Sequence, residues 1–545
     1  MTAAFDAARH EKGTIMDRRS FMKAGAAAAL AGISAPALSQ SSRQKVLRFV
    51  PYTDLTIFDP MWSTVDITRD YGYMIYDTLF GLDANFQPQP QLAEGFLWGD
   101  DDRSCTITLR SDITFHDGEP IRARDCVASL KRWSQAAPMG ATLFALTDEL
   151  VAIDDRTLRF RLKRPFPILP AILGQLSAPV PLIMPERVAQ TDVKTQITDR
   201  TGSGPFRFKA DEFQLGNLAV FEKFQGYKPT PNTASGLTAG PKTVHFDRVE
   251  WRRIPDAATA AAALQTGDVD WIGGPTSETV ELLAGFKDID LPRLEDIPSM
   301  AMMRLNALNA PFDNKKIRQA LLPAIDQAEF CMAVAGTNPQ NFATGTGFFP
   351  PGTALASEAG LDPLKGPRSI EKARQQLKEA GYANERVRLL GAADSPASTT
   401  PLAQVAADML GKLGLNLDIA LLDNASVAQR RRSEEPVDKG GWSMSCWLFP
   451  GSWFVDPGTN IMLRGNGRSA WFGWPTIPKL EELRDAWLNS PSPDERKRIA
   501  QEMQVVGMDE LPAIPLGAIY RQTALKKDLV DRVRTATVFW NIRRG

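Results

Sequence analysis

The stretch SCTITLRSDITFHDGEPIRARDCVASLKRW, residues 104–133, packs a strand, a turn and a helix into one short segment. Thr106 to Arg110 alternate in polarity, as a half-buried strand does. His116-Asp117-Gly118 makes the turn. From Ala123 the apolar residues return at spacings of three, with Val127, Leu130 and Trp133 along one helical stripe. Downstream, LVAIDD and RTLRFRLKRP, around 150–165, read as a strand pair. PFPILPAILGQLSAPVPLIMP follows, rich in proline and apolar residues, and reads as packed loops and short helices.

Outward from this unit the patterns remain legible. KVLRFVPY, 45–52, alternates like a strand, LTIFDPMW follows as an extended turn, and 66–82 reads as a helix with Tyr73, Tyr76 and Asp77 near its end. TGSGPFRFKADEFQLGNLAVFEK, 201–223, reads as a turn and two strands, with Gly202 and Gly204 permitting a close backbone turn or positive φ. Strand HFDRVEWRRIP precedes a helix capped by Asp256 and stopped at Gly267. From about 300, strands and helices alternate. AMMRLN is a strand, 313–334 a helix capped by Asp313 and kinked by Pro323, and SIEKARQQLKEAGY a helix capped by Ser369 and ended by Gly381. Helix 402–413 leads through Gly414 into strand LNLDIALLD. Successive βα units imply a sheet covered by helices, so the fold class is α/β, in the mixed α+β sense.

Composition narrows the function. A chain of 545 residues is too long for one core, and 43% hydrophobic with 23% charged residues is ordinary for globular proteins. A formal net charge of −1 argues against a nucleic-acid partner. The three histidines, His10, His116 and His245, lie far apart without ligand partners at useful spacing, so no metal is expected. No nucleophile elbow and no phosphate-cradling glycine loop occurs, so neither an enzyme nor a cofactor is expected. Cys105, Cys126, Cys331 and Cys446 form no C-x-x-C pair and read as buried free thiols, with a Cys105–Cys126 disulfide the alternative.

Residues 1–39 differ from the rest. Arg18, Arg19 and Lys23 precede an apolar run at 24–33 and small-residue cleavage sites near 35–39, the arrangement of an export signal peptide. DRRSFMK resembles the twin-arginine signal but departs at Asp17 and Met22, which leaves the twin-arginine and general routes open. Met16 is an alternative start. The apolar run is too short to span a bilayer. The expected location is the periplasm.

Taken in order, these motifs resemble the extracytoplasmic solute-binding proteins of ABC importers, the peptide/nickel-type group called family 5. The resemblance runs from about 45 to 535. It rests on LAEG (92–95) through LRSDITFHDGEPIRARDCVASLKR, on GSGPFRF (202–208), on AALQTGDVD, on LNALNAPFDNKKIRQALLPAID and on IPL near 514–516. It implies a two-lobed periplasmic-binding-protein-like fold with a hinge and an extra domain on the first lobe. Lobe I is expected at 43–85, 200–298 and 508–545, the extra domain at 86–199, and lobe II at 299–507. Such proteins enclose a small solute or short peptide by hinge closure and hand it to a membrane permease. The chain is expected to act as a monomer. The competing readings are an exported enzyme and a chaperone-like or signalling protein.

GGWSMSCWLFPGSWFVDPG, 440–458, concentrates aromatic rings. In the peptide-binding relatives a tryptophan here lines the cleft, and an aspartate three residues later pairs with the peptide ammonium. Trp447 resembles that tryptophan, but Pro450 replaces the aspartate, and Met444 and Ser445 stand where some relatives carry an arginine. The next acid is Asp456. The resemblance therefore implies a more apolar, aromatic pocket, in which Trp447 and Trp453 from lobe II and Trp62 and Tyr52 from lobe I sandwich the solute. Phe449, Trp442 and Asp456 complete the candidate set. The alternative for each ring is a place in the core, and Trp471 and Trp474 read as core or rim.

Overall fold

A computed structural model describes residues 45–490 and 492–545. The expected signal peptide lies outside these residues. Among the described residues, two large sheets, one four-stranded sheet and two two-stranded ribbons organise the body from Leu47 to Gly545.

Strand Val46–Val50 lies within a seven-stranded sheet, beside and parallel to Trp271–Ile272. Arg248–Arg252, Leu218–Lys223 and Phe206–Phe208 extend the sheet on one side, and Ala524–Lys526 and Ile289–Asp290 on the other. Helix Ala257–Thr266 covers part of it, capped by the Asp256 side chain and closed by Gly267 at φ 77°. The second sheet has six strands, in the order Phe342–Ala343, Ala513–Ile519, Ser299–Leu305, Met444–Phe449, Arg386–Ala392 and Asn416–Leu422. Its three central strands are buried along their whole length, which explains their unbroken apolar runs. Arg386–Ala392 and Asn416–Leu422 run parallel through helix Thr399–Leu413, a βαβ unit within a mixed sheet.

The opening stretch builds the third unit. Strand Ser104–Leu109 alternates buried and half-buried residues in a four-stranded antiparallel sheet with Ala93–Trp98, Thr157–Leu162 and Thr147–Ala152. Helix Ala123–Ala136 buries Cys126, Leu130 and Trp133 beside it. Arg132 of this helix forms a fully buried pair with Asp59 at 2.7 Å, fastening the unit to the loop before helix Asp66–Ile75. The His116 turn docks on the glycine turn: the His116 N–H donates to the Gly202 carbonyl, Nδ1 accepts from the Gly202 N–H, and Nε2 meets the Gly204 carbonyl at 3.0 Å. Burial pushes the His116 imidazole down to about 4, so it is neutral at pH 7. The two glycines answer a steric need: a Cβ on Gly202 would lie 1.9 Å from the Ile75 carbonyl oxygen.

Four expectations are corrected. The helix at 66–82 ends at Ile75, because Tyr76 is extended and the Asp77 N–H turns to Ser203 Oγ. Helix 313–334 divides into Lys315–Ala320 and Gln327–Ala335, with Pro323 in a separating 3-10 turn, so the proline breaks it rather than kinking it. Its first cap is Asn314, not Asp313, and Asp326 caps the second piece. Strand Ala513–Ile519 pairs with Ser299–Leu305, so the return to the first sheet comes at 524 rather than 508. The cysteine reading holds: all four are buried free thiols, and the alternative Cys105–Cys126 disulfide is not formed.

Candidate functional site

The chain passes between the two large sheets at 290–299 and at 519–524. The two crossings run side by side: the Leu294 N–H donates to the Arg521 carbonyl at 2.8 Å, and the Thr523 N–H to the Pro292 carbonyl at 3.0 Å. Beside them the two lobes face each other across a cleft.

The first-lobe wall is the 52–64 loop and helix Asp66–Ile75. The Tyr52 hydroxyl accepts the Ile67 N–H at 2.9 Å and so serves one of the unpaired donors at the start of this helix. The sequence DITRD places Asp66 and Asp70 four residues apart, on one face, with Arg69 beside them. Arg69 contacts Asp70 at 2.9 Å and Asp66 at 3.6 Å. Burial opposes the Arg69 charge, but Asp66 and Asp70 outweigh it and hold the guanidinium above its ordinary value. Burial pushes the Asp70 carboxyl up to about 6 against the pull of Arg69.

The second-lobe wall is aromatic and basic. Trp447 and Phe449, two apart on strand Met444–Phe449, share a face and stack at 6.3 Å. Trp471 meets both edge-on at 5.6 Å. Arg431 inserts its guanidinium among Trp447, Trp471 and Phe472, 5.0, 5.3 and 4.7 Å from the ring centres. It is 2% exposed and has no carboxylate partner among the described residues. Its Nη2 donates to Thr64 Oγ1 on the opposite lobe, while its Nε has no partner. Burial, and then the neighbouring Arg432, push it down to about 9.

The candidate residues do not converge on one cavity. Tyr52 lines a cavity of about 50 Å³ at the crossings, with Asp66, Arg69, Asp70, Glu295 and Arg521. Trp447 belongs to the aromatic wall, its indole N–H donating to Ser445 Oγ at 2.6 Å. Trp62 lies at the rim, half-buried, its ring beneath Arg432 and its carbonyl accepting from that guanidinium. Trp453 is fully buried, 5.6 Å from the Arg69 guanidinium. Trp442 is also fully buried, donating to the Arg431 carbonyl at 3.0 Å and packing on Trp474. Asp456 accepts from the Thr459 N–H and hydroxyl. It faces a different cavity, of about 440 Å³, shared with Phe96 and Trp98 of the small unit and Trp487 and Arg496.

Sequence reading missed Arg431, Arg69, Asp66, Asp70, Glu295 and Arg521. Two local signals could have pointed to some of them: the QRRRS run at 429–433, and the acid-flanked arginine of DITRD. Among the described residues, no group of three or more His, Cys, Asp or Glu could hold a metal ion, and no helix is long and apolar enough to cross a membrane.

The architecture is shared with proteins of known structure. A periplasmic binding protein crystallised with agropinic acid from A. tumefaciens R10 superposes with a TM-score of 0.76 at 20% identity, over 92% of this chain and 99% of that one. The DppA binding protein of Helicobacter pylori, in complex with peptide STSA, also gives 0.76 at 20%, over 93% and 99%. The fold is therefore the two-lobed periplasmic-binding-protein type. Among curated proteins, a probable peptide ABC transporter periplasmic-binding protein of Sinorhizobium fredii is 35% identical over 537 residues, 97% of this chain and all of that one. The glutathione-binding protein GsiB of Salmonella typhi is 28% identical over 500 residues, 90% of each chain. The model of the bacterial extracellular solute-binding proteins, family 5, matches residues 87–471. With that match spanning most of its length, this chain belongs to the family 5 extracellular solute-binding proteins.

Proposed function

We propose that the chain is a monomeric periplasmic receptor, without catalytic activity, that encloses a peptide-like organic solute between its lobes and presents it to the permease of an ABC importer. The observation that carries this reading is the cleft. Its walls belong to different sheets, touch through side chains such as Arg431 and Thr64, and are joined at 290–299 and 519–524. Bending at those crossings would open it, and a solute favours the closed form by binding it better than the open one. The relatives named for peptide and glutathione binding support a solute of peptide size and polarity.

Within the cleft, Tyr52 and Trp62 form the first-lobe side of the solute site, and Trp447 the second-lobe side. Phe449, Trp453 and Trp442 back this wall. Asp456 is engaged with Thr459 and lines the separate cavity shared with the small unit rather than this site. Native mass spectrometry on protein purified gently from its own periplasm tests the reading. A bound molecule of defined mass, released on partial denaturation, supports it. Protein that is empty and gives no thermal shift with peptides, amino acids, sugars or amines overturns it.

A further inference from the structure

The cavity at the crossings carries an electrostatic imbalance. Three carboxylates line it, Asp66, Asp70 and Glu295, against two guanidinia, Arg69 and Arg521. Four of these five groups are paired. Arg69 serves Asp66 and Asp70. Arg521 reaches Asp66 at 3.9 Å and donates to Ser299 Oγ at 2.9 Å.

Glu295 is the exception. It is 7% exposed and lines the cavity, yet its carboxylate makes no hydrogen bond or ion pair with any described residue. Buried charged groups are normally paired, because leaving water without a partner is costly. Arg521 and Arg69 act on it only through space, and Asp66 and Asp70 oppose them. Arg532 adds a positive field from behind, but its Nη1 and Nη2 donate to the Leu294 and Arg293 carbonyls and it does not line the cavity. With all three carboxylates ionised, the lining groups keep one uncompensated negative charge, carried by Glu295. The cavity admits a group of a few heavy atoms.

We infer that this cavity is the subsite for a positively charged nitrogen of the solute, a primary ammonium or an amidinium, with Glu295 as its counter-charge. The inference rests on the receptor reading and names the chemistry of its solute. Glu295 lies on one of the two crossings, so above its titration range closure that desolvates the ionised carboxylate is favoured when a cation arrives with it. A cation there therefore has a differential affinity for the closed form, which is what drives closure.

The test uses ethylammonium chloride as the probe, against sodium chloride at equal ionic strength, read by thermal shift on the mature chain. The expected result near pH 8 is a rise in Tm with ethylammonium beyond that with sodium, retained in Glu295→Asp and lost in Glu295→Gln. Burial, and the opposing acids, push the Glu295 carboxyl up to about 7, so apparent affinity for the probe should fall about 30-fold between roughly pH 8 and 5.5. No rise beyond sodium in the wild type overturns the inference. An equal rise in Glu295→Gln overturns it too. If that variant does not fold, the wild type still decides: a rise of equal size at both pH values overturns the inference. Native mass spectrometry separates the two levels. A bound solute lacking a basic nitrogen overturns the ammonium subsite and leaves the receptor standing, whereas empty protein unresponsive to all solute classes overturns the receptor reading itself.

Discussion

Arg431 of the second lobe donates a hydrogen bond to the Thr64 hydroxyl of the first at 2.9 Å, with its guanidinium held among three aromatic rings. The same hydroxyl lies 3.5 Å from the Trp471 indole nitrogen. Thr64 is thus one point where the aromatic wall meets the opposite lobe, alongside the Arg432 contact with Trp62. A hydrogen bond to a charged donor contributes about 1.5–3 kcal/mol. Thr64→Val should therefore shift the lobes toward the open form by roughly tenfold or more in the closure equilibrium, with little change in global stability. Small-angle scattering of the variant reads this as a larger radius of gyration. An unchanged profile would show that closure does not depend on this contact.

Trp442 and Trp447 should separate stability from binding. Trp442 is fully buried on Trp474, with its N–H on a backbone carbonyl. Trp442→Ala should cost about 3–5 kcal/mol, the usual range for emptying an aromatic core site. Trp447→Phe keeps a ring on the strand but loses the N–H to Ser445 and the broader face toward Arg431. It should fold with near-native stability and bind the natural solute at least about tenfold more weakly, since cation–π and ring contacts in such a site run to about 2 kcal/mol. Urea denaturation and calorimetric titration check the two halves. Equal affinity in Trp447→Phe would remove Trp447 from the solute site.

Stability should fall as pH rises through the neutral range because of Glu295. Its carboxyl is raised in the folded chain to about 7 from an ordinary 4.5, by burial above all. The folded state thus holds a proton that the unfolded state has already released. That contribution is fully present below about pH 4.5 and is lost as pH rises through about 7. Asp70, raised to about 6, acts in the same direction over a lower window. The difference in Tm between wild type and Glu295→Gln, followed from pH 4.5 to 8, isolates the first term, which is on the order of 2–3 kcal/mol. A pH-independent difference would show that the Glu295 carboxyl is not raised.

The Asp59–Arg132 pair fastens the small unit to the first lobe. Both side chains are buried, and Asp59 also accepts the Ile197 and Met61 N–H groups. Arg132→Ala leaves the aspartate unpaired in the interior and should cost about 3–5 kcal/mol. The double variant Arg132→Leu/Asp59→Asn should recover part of this. Denaturation midpoints of the three proteins measure it.

Much of the local structure was readable from the chain. Alternation marked strand Ser104–Leu109, and Asp256, Ser369 and Gly267 marked helix ends, because caps and periodicity act over a few residues. Boundaries failed where a distant segment intervened. Ser203 draws away the Asp77 N–H where the helix was expected to continue, and Ser299–Leu305 recruits strand Ala513–Ile519 into the second sheet.

The division at the site has the same origin. The motifs, each set by neighbours along the chain, carry the family resemblance, and it is that resemblance that implies two lobes, a hinge and an aromatic pocket at Trp447. Which rings face the cleft, and which charges lack a partner, are decided by residues remote in sequence. Trp442 and Trp447 belong to one apolar run, but only packing buries the first on Trp474 and sets the second against Arg431. Asp456 looked free until Thr459 and the small unit surrounded it. Glu295 sits in an unremarkable RLEDI stretch, and its isolation exists only because the fold spends Arg69 and Arg521 on Asp66, Asp70 and Ser299. Local propensity is a short-range property. Charge balance in a buried cavity is a sum over elements that only the folded chain brings together.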